Sequence, residues 1–431
     1  MVAKENRGDE TEDLVEKICT KMFFSDFTVR KPKYKKKDKK EKEAADLLIP
    51  FGEILLAIQV KSKTELSRVS EKTPIDFQRI SQVIEDGVGQ LKTIKRALAN
   101  EGLTELKTVR GYSIPFACKQ FRKLTGLVIL DLIGEEIFPE DERTVISNGF
   151  LYKHDMPVHI YMRSDFEAIS SEIDTLPDFV EYLETREIVH SRGLFWFPLH
   201  ELDFLVLYKT KPEIVRRAID NNTHIFLNDN LWEHYQDKLD SVIRKRNQLN
   251  QPSYLIDIAI NELHKSVGFN LVTDVTNTVP AIFPQGSLEG YLVIAYELAM
   301  IPRLGRRLIG EKFLRCLKQA NKKIGVGYSF VGLSRENKSG VLVVSTKSGR
   351  NERTKMLYNL SAAVYSAHDL DQIIGIATEP LTGYGRSFDF VILKGDKFDN
   401  HEELVDLFRK AFGPGHFADM AEYIETNEKG S

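Results

Sequence analysis

The sequence predicts an α/β protein with a mixed central sheet flanked by helices, followed by a second α/β (α+β) domain. Three observations carry this reading. Short runs dense in aliphatic residues, such as EILLAIQVKSK and GLVILDLI, alternate with longer segments whose apolar residues recur at helical spacing. A chain of 431 residues, 42% of them hydrophobic and 29% charged, is long enough to build two or three cored domains. A mainly helical stretch near residues 255–320 separates one group of strand-like runs from a second.

The elements follow in order. Leu14, Val15, Ile18, Cys19 and Met22 fall on one face of a helix over about residues 10–23, and a short strand follows at Phe27–Arg30. The run KPKYKKKDKKEK from Lys31 to Lys42 then leads to two short strands, AADLLIP and EILLAIQVKSK. A long helix is expected over about Phe77–Asn100, then strands at Gly126–Ile133 and Pro157–Met162. Helices within DFEAISSEIDTLPDFVEYLETRE close the first domain near residue 190. The expected organisation is a first domain over 1–190, a helical connection over 191–254 and a C-terminal domain over 255–431. In the last of these, strands are expected at VGYSFVGLS, GVLVVSTK, QIIGIATEP and FDFVILKG. Helices are expected over Glu352–Ser366 and about His401–Phe412.

Composition excludes several classes. Sixty basic and 63 acidic residues leave a net charge of -3, so nucleic-acid affinity has to come from a local patch. Cys19, Cys118 and Cys316 are far apart and odd in number. They offer neither a zinc motif nor a disulfide framework, which points to a reducing, cytoplasmic setting. No signal-like or membrane-length apolar run is present, so no membrane partner is expected. The ten histidines are scattered without ligand spacing and read as structural.

The chemistry gathers at the hairpin. Gly52-Glu53 carries Gly at the first central position of a two-residue loop, as a type II′ turn requires. Phe51 then pairs with Ile54, and counting outward places Asp46 opposite Gln59 with Cβ atoms about 5 Å apart. Lys61 lies two residues beyond Gln59 and projects from the same face, while Ile58 and Val60 point to the other. A carboxylate, a carboxamide and an ammonium therefore meet near the open end of the hairpin. Mg²⁺ (or Mn²⁺) takes oxygen ligands, which Asp46, Gln59 and the Val60 carbonyl can supply. Such a metal acidifies bound water, and Lys61 can orient that water or stabilise charge on a phosphodiester. Glu12 and Glu16, one turn apart on the first helix, can add a carboxylate. Gln90 and Lys92 on the long helix can reach the site or the substrate backbone. Asp46 sits in an otherwise apolar run, an expensive place for a charge without a partner.

This order resembles the PD-(D/E)XK nuclease superfamily: an acid in an N-terminal helix, an Asp in a short strand, (Asp/Glu/Gln)-x-Lys in the next strand, and a helical Gln. Here it reads Glu12 or Glu16, Asp46, Gln59-Val60-Lys61 and Gln90, and the Gln-x-Lys variant is most similar to the Mrr-type, restriction-endonuclease-like branch. Ala45 stands where the name-giving Pro would be, and Gln59 removes one negative charge from the metal site. The resemblance covers about residues 10–165. It implies a Mg²⁺-dependent endonuclease acting on DNA rather than RNA, in a restriction-like or antiviral defence role. It does not explain the C-terminal domain, which is expected to recognise a partner protein, a second copy, a substrate feature or an activating signal. The competing reading is a nuclease-fold protein that binds nucleic acid, or serves as an assembly subunit, without cutting.

The lysine run is the expected backbone-binding element. Lys31, Lys33, Lys35, Lys36, Lys37, Lys39 and Lys40, with Lys63 and Lys92, would hold phosphates without reading bases. Arg303, Arg306 and Arg307 read as ordinary surface arginines paired with acids. Ser345-Thr346-Lys347-Ser348-Gly349 lacks the order of a phosphate loop and is given no role.

Overall fold

The computed structural model describes residues 7–35, 41–51, 53–63, 77–99, 105–107, 113–115, 121, 123–132, 149–195, 201–226, 231–266, 288–322, 325–334, 338–380, 387–395 and 398–413. Its contacts divide the chain into Met1–Val242 and Ile243–Ser431.

The first unit opens with α1 (Arg7–Phe23) and a 3₁₀ turn over Ser25–Phe27, which leaves β1 (Val29–Arg30) shorter than the expected strand. β2 (Lys33–Lys35) and β3 (Glu41–Glu43) form a small antiparallel ribbon, pairing Lys33 with Glu43 and Lys35 with Glu41. This backbone pairing brings the two ends of the lysine run side by side. β4 (Leu47–Phe51) and β5 (Ile54–Lys63) are the expected hairpin, and Phe51 pairs with Ile54 as the two-residue loop requires. Gly52 itself lies outside the described residues. α2 (Phe77–Ala99) then crosses over to β8 (Lys123–Leu132), which runs parallel to β5, while β6 (Glu105–Lys107) and β7 (Ser113–Pro115) pair separately. β10 (Met156–Met162) is parallel to β8, and β9 (Phe150–Lys153) closes the edge. The mixed six-stranded sheet therefore runs β1-β4-β5-β8-β10-β9.

Alternation assigns the two faces. Leu48, Leu55, Ala57, Val128, Leu130, Val158 and Ile160 meet the apolar stripe of α2, formed by Ile80, Val83, Leu91, Ile94 and Ala97. Gly87 belongs to that contact, because a Cβ there would stand 2.9 Å from Val128 Cγ1. The opposite face of β10 carries His159 and Tyr161 toward α4 (Leu176–Ser191), which follows α3 (Arg163–Glu172). The unit does not stop near residue 190. α5 (Glu201–Thr210) and α6 (Pro212–Asn221) stay with it, because Glu201 and Arg186 form a fully buried pair at 2.8 Å that joins α4 to α5. α7 (Leu231–Asn250) spans the division between the two units.

The second unit holds α8 (Tyr254–Ser266), α9 (Leu288–Ala299) and α10 (Arg303–Asn321). Its four-stranded sheet is β11 (Val326–Ser334), β12 (Ser339–Thr346), β13 (Gln372–Thr378) and β14 (Phe388–Lys394). α11 (Arg350–Ala367) connects β12 to the parallel β13, and α12 (His401–Phe412) packs against α11. Both units thus contain a helix, an antiparallel strand pair, a crossover helix and a parallel strand, a likeness invisible as sequence repetition. Arg306 is 1% exposed and bound to Asp257 at 2.7 Å, which corrects its assignment as an ordinary surface arginine. Among the described residues no helix is long and apolar enough to cross a membrane.

Candidate nuclease site

The site is built where the β4–β5 ladder ends. The last paired residues are Leu47 and Ile58. One step further, the Asp46 backbone N–H still reaches the Ile58 carbonyl at 3.2 Å, and its carbonyl accepts from the Lys31 N–H at 2.8 Å. The next rung is made by the side chain: the Val60 N–H donates to Asp46 Oδ2 at 2.6 Å. In a strand, the N–H and C=O of one residue point to the same edge. The Val60 carbonyl therefore faces the edge that Asp46 occupies.

Burial raises the Asp46 carboxyl to about pH 6, the Val60 bond opposes that rise, and the nearby Glu12 charge adds to it. Gln59 is buried at 3% exposure, on the strand parity that faces α2. Lys61 is half-buried on that same parity, and its Nζ donates to Gln90 Oε1 at 2.5 Å. A cavity of about 520 Å³ opens beside this pair, lined by Lys61, Ser62, Val83, Glu85, Asp86, Gly89 and Gln90. Asp46, Gln59, Val60, Lys61 and Gln90 are thus brought to one end of the hairpin.

The other expected residues are placed differently. Glu12 is held by Lys31 at 2.7 Å, and Glu16 by Arg30 at 3.0 Å. Glu12 acts on Asp46 through its charge, and the carboxylates of both acids are already engaged by cations. Lys31 is correspondingly bound to Glu12 and, at 3.5 Å, to Asp9. Lys92 is exposed, and its charge adds to burial in lowering the His154 imidazole of the β9–β10 turn. Lys33 is exposed on the ribbon; Lys36, Lys37, Lys39 and Lys40 lie outside the described residues, as do the side chains of Lys35 and Lys63.

Sequence reasoning missed Glu85, Asp86 and Gly89 on the cavity wall, and it missed Asp131. Asp131 accepts from Thr11 Oγ1 at 2.6 Å and from Arg163 Nε at 3.1 Å. It sits beside Ser62 in register, on the face away from Lys61, where it ties α1 and α3 to β8. The signal was the same as for Asp46, a carboxylate inside an apolar run. Among the described residues, no group of three or more His, Cys, Asp or Glu side chains is gathered to hold a metal. The corresponding end of the second sheet is ion-paired: Arg353 binds both Asp389 and Glu379, and Arg350 reaches Asp389 at 3.0 Å.

No family model matches the chain, and neither a curated protein nor a solved structure matches it.

Proposed function

We propose that the first unit is a Mg²⁺-dependent nuclease of PD-(D/E)XK type that hydrolyses phosphodiester bonds, most readily in DNA. The observation that carries this reading is the convergence of Asp46, the Val60 backbone and the Lys61–Gln90 pair at the open end of one hairpin. The order α1, β1, β4, β5, α2, β8, with β8 parallel to β5, supports a restriction-endonuclease-like core.

The donor set fits a hard divalent cation. Asp46 is a carboxylate kept in a buried position beside a second negative charge, a state that a cation relieves. Gln59 offers a neutral oxygen and Val60 a carbonyl, leaving coordination to be completed by water and substrate phosphate. When bound, the cation would acidify a coordinated water and neutralise charge on the phosphate. Lys61, steadied by Gln90, places a positive charge where the pentavalent phosphorus develops negative charge. The second unit is assigned recognition of a partner protein, a second copy or a signal, and the whole a role in restriction-like or antiviral defence.

The neutral Gln59 favours one second reading, a nuclease fold that binds nucleic acid without cutting it. Incubation of plasmid DNA and of RNA with Mg²⁺ or EDTA decides between them. EDTA-sensitive cleavage that is lost in Lys61→Ala supports the enzyme. Metal-independent binding without cleavage supports the binder, and in that case Gln59→Glu should raise Mg²⁺ affinity by returning the missing negative charge.

A further inference from the structure

Helix α2 contains two glycines three residues from Gln90 or closer, and only one of them has a packing reason. A Cβ on Gly87 would stand 2.9 Å from Val128 Cγ1 and 3.5 Å from Lys61 Cγ, so that glycine allows α2 to lie close on the sheet. A Cβ on Gly89 would meet nothing within 4 Å. Glycine inside a helix lowers its stability relative to alanine, and among the described residues no neighbour at Gly89 offsets that loss. Gly89 does line the cavity shared by Lys61 and Gln90. On a helix, residues 85 and 89, and 86 and 90, are successive neighbours on one face. Glu85, Asp86, Gly89 and Gln90 therefore form one continuous wall, acidic at its N-terminal end and bare at Gly89.

Building on the nuclease reading, we infer that the Gly89 surface of α2 is the seat of the nucleoside adjoining the scissile phosphate, with Glu85 and Asp86 selecting for its hydrogen-bond donors. The division of the cavity follows from charge. The phosphate belongs at the Lys61 end, since Glu85 and Asp86 repel an anion at the other. Carboxylates accept from the amino groups of bases and from sugar hydroxyls. A bare glycine lets a sugar or base lie directly on the helix backbone, where a methyl group would displace it.

The test uses the full chain with fluorescein-labelled oligonucleotides of one sequence, as DNA and as RNA, single-stranded and duplex. Steady-state cleavage is measured in Mg²⁺ and binding in Ca²⁺. Gly89→Ala should raise the melting temperature, because alanine is the better helix former, and should raise KM by about tenfold as the added methyl overpacks the seat. Gly87→Ala should lower the melting temperature. Glu85→Gln combined with Asp86→Asn should fold normally and change the distribution of bases found next to the cut. A stabilised Gly89→Ala protein with wild-type KM and an unchanged cut-site distribution in the double variant overturns this inference while leaving the nuclease reading standing. A wild-type chain that neither binds nor cuts any of the four substrates overturns both.

Discussion

The Val60 N–H donates to the Asp46 carboxylate at 2.6 Å, one residue beyond the last paired rung of the β4–β5 ladder. A side chain here takes the place of a strand, and it does so buried, with the Glu12 charge nearby. The carboxyl is raised from 3.8 to about 6 by burial first. Between those values the folded chain binds more protons than the unfolded chain, so this group favours folding at low pH and loses that contribution as pH rises through about 6. A shift of this size corresponds to about 3 kcal/mol of stability withheld at neutral pH. Asp46→Asn, which still accepts from Val60, should therefore make the protein more stable at pH 7.5 in urea melts. The same change should abolish Mg²⁺ binding by calorimetry and cleavage in gels. A variant that is both less stable and still active would overturn the metal assignment.

Lys61 is half-buried and engages Gln90, so truncating it should leave the fold intact. Lys61→Ala is expected to lower kcat by at least about a hundredfold with little change in Kd for nucleic acid. Gln90→Ala should cost less, and in the double variant the two effects should not add, because they act through one ammonium. Additive losses would show that Gln90 acts on the substrate independently of Lys61.

The hairpin was legible because its determinants are local. Gly52-Glu53 sets a two-residue loop, the loop sets the register, and period-two alternation then fixes Gln59 and Lys61 to one face. The final amphipathic helix was legible for the same reason, its apolar stripe being continuous over His401–Phe412. What escaped depended on long-range neighbours. Glu12 and Glu16 lie on the expected helix, yet which cations they meet is decided by Arg30 of β1 and the adjoining Lys31, not by spacing within α1. The first unit runs past residue 190 because Arg186 finds Glu201, and no periodicity announces that pairing. Gly89 reads as a weak point in a helix until the cavity beside it is known.

The β2–β3 ribbon fixes the ends of the lysine run by pairing Lys33 with Glu43 and Lys35 with Glu41. Replacing Lys36, Lys37, Lys39 and Lys40 together by Gln should weaken DNA binding and flatten its salt dependence. For every phosphate that a lysine no longer neutralises, the log–log slope on duplex DNA should fall by roughly 0.9. Lys31→Gln should lower the melting temperature instead, since Lys31 is bound to Glu12 and Asp9. An unchanged slope in the fourfold variant would assign the run to solvation alone.

The opposite face of the sheet should make the fold labile to acid. His159 is fully buried against Arg186, at 2.9 Å from its Nη1, and burial and that charge hold its imidazole well below the ordinary range. His190, stacked on Phe150 at 5.7 Å and edge-on to Phe195 at 5.6 Å, is lowered to about 3 by burial first and then by Arg186. Both rings are neutral when folded and take up a proton at about pH 6.5 once unfolded. The unfolded state therefore binds more protons below 6.5, and the stability these rings contribute is lost as pH falls from 6.5 toward about 3. For His190 alone the loss reaches about 3 kcal/mol by pH 4. It runs opposite in sign to the Asp46 contribution, which strengthens over much of the same range. His190→Phe keeps an aromatic ring between Phe150 and Phe195 and removes the proton. Urea melts of this variant between pH 7.5 and 4.5 should show a shallower loss of stability than the wild type, and in Asp46→Asn the loss should steepen. Parallel pH profiles for His190→Phe and wild type would mean that His190 stays solvated in the fold, and the acid lability would then have to come from His159.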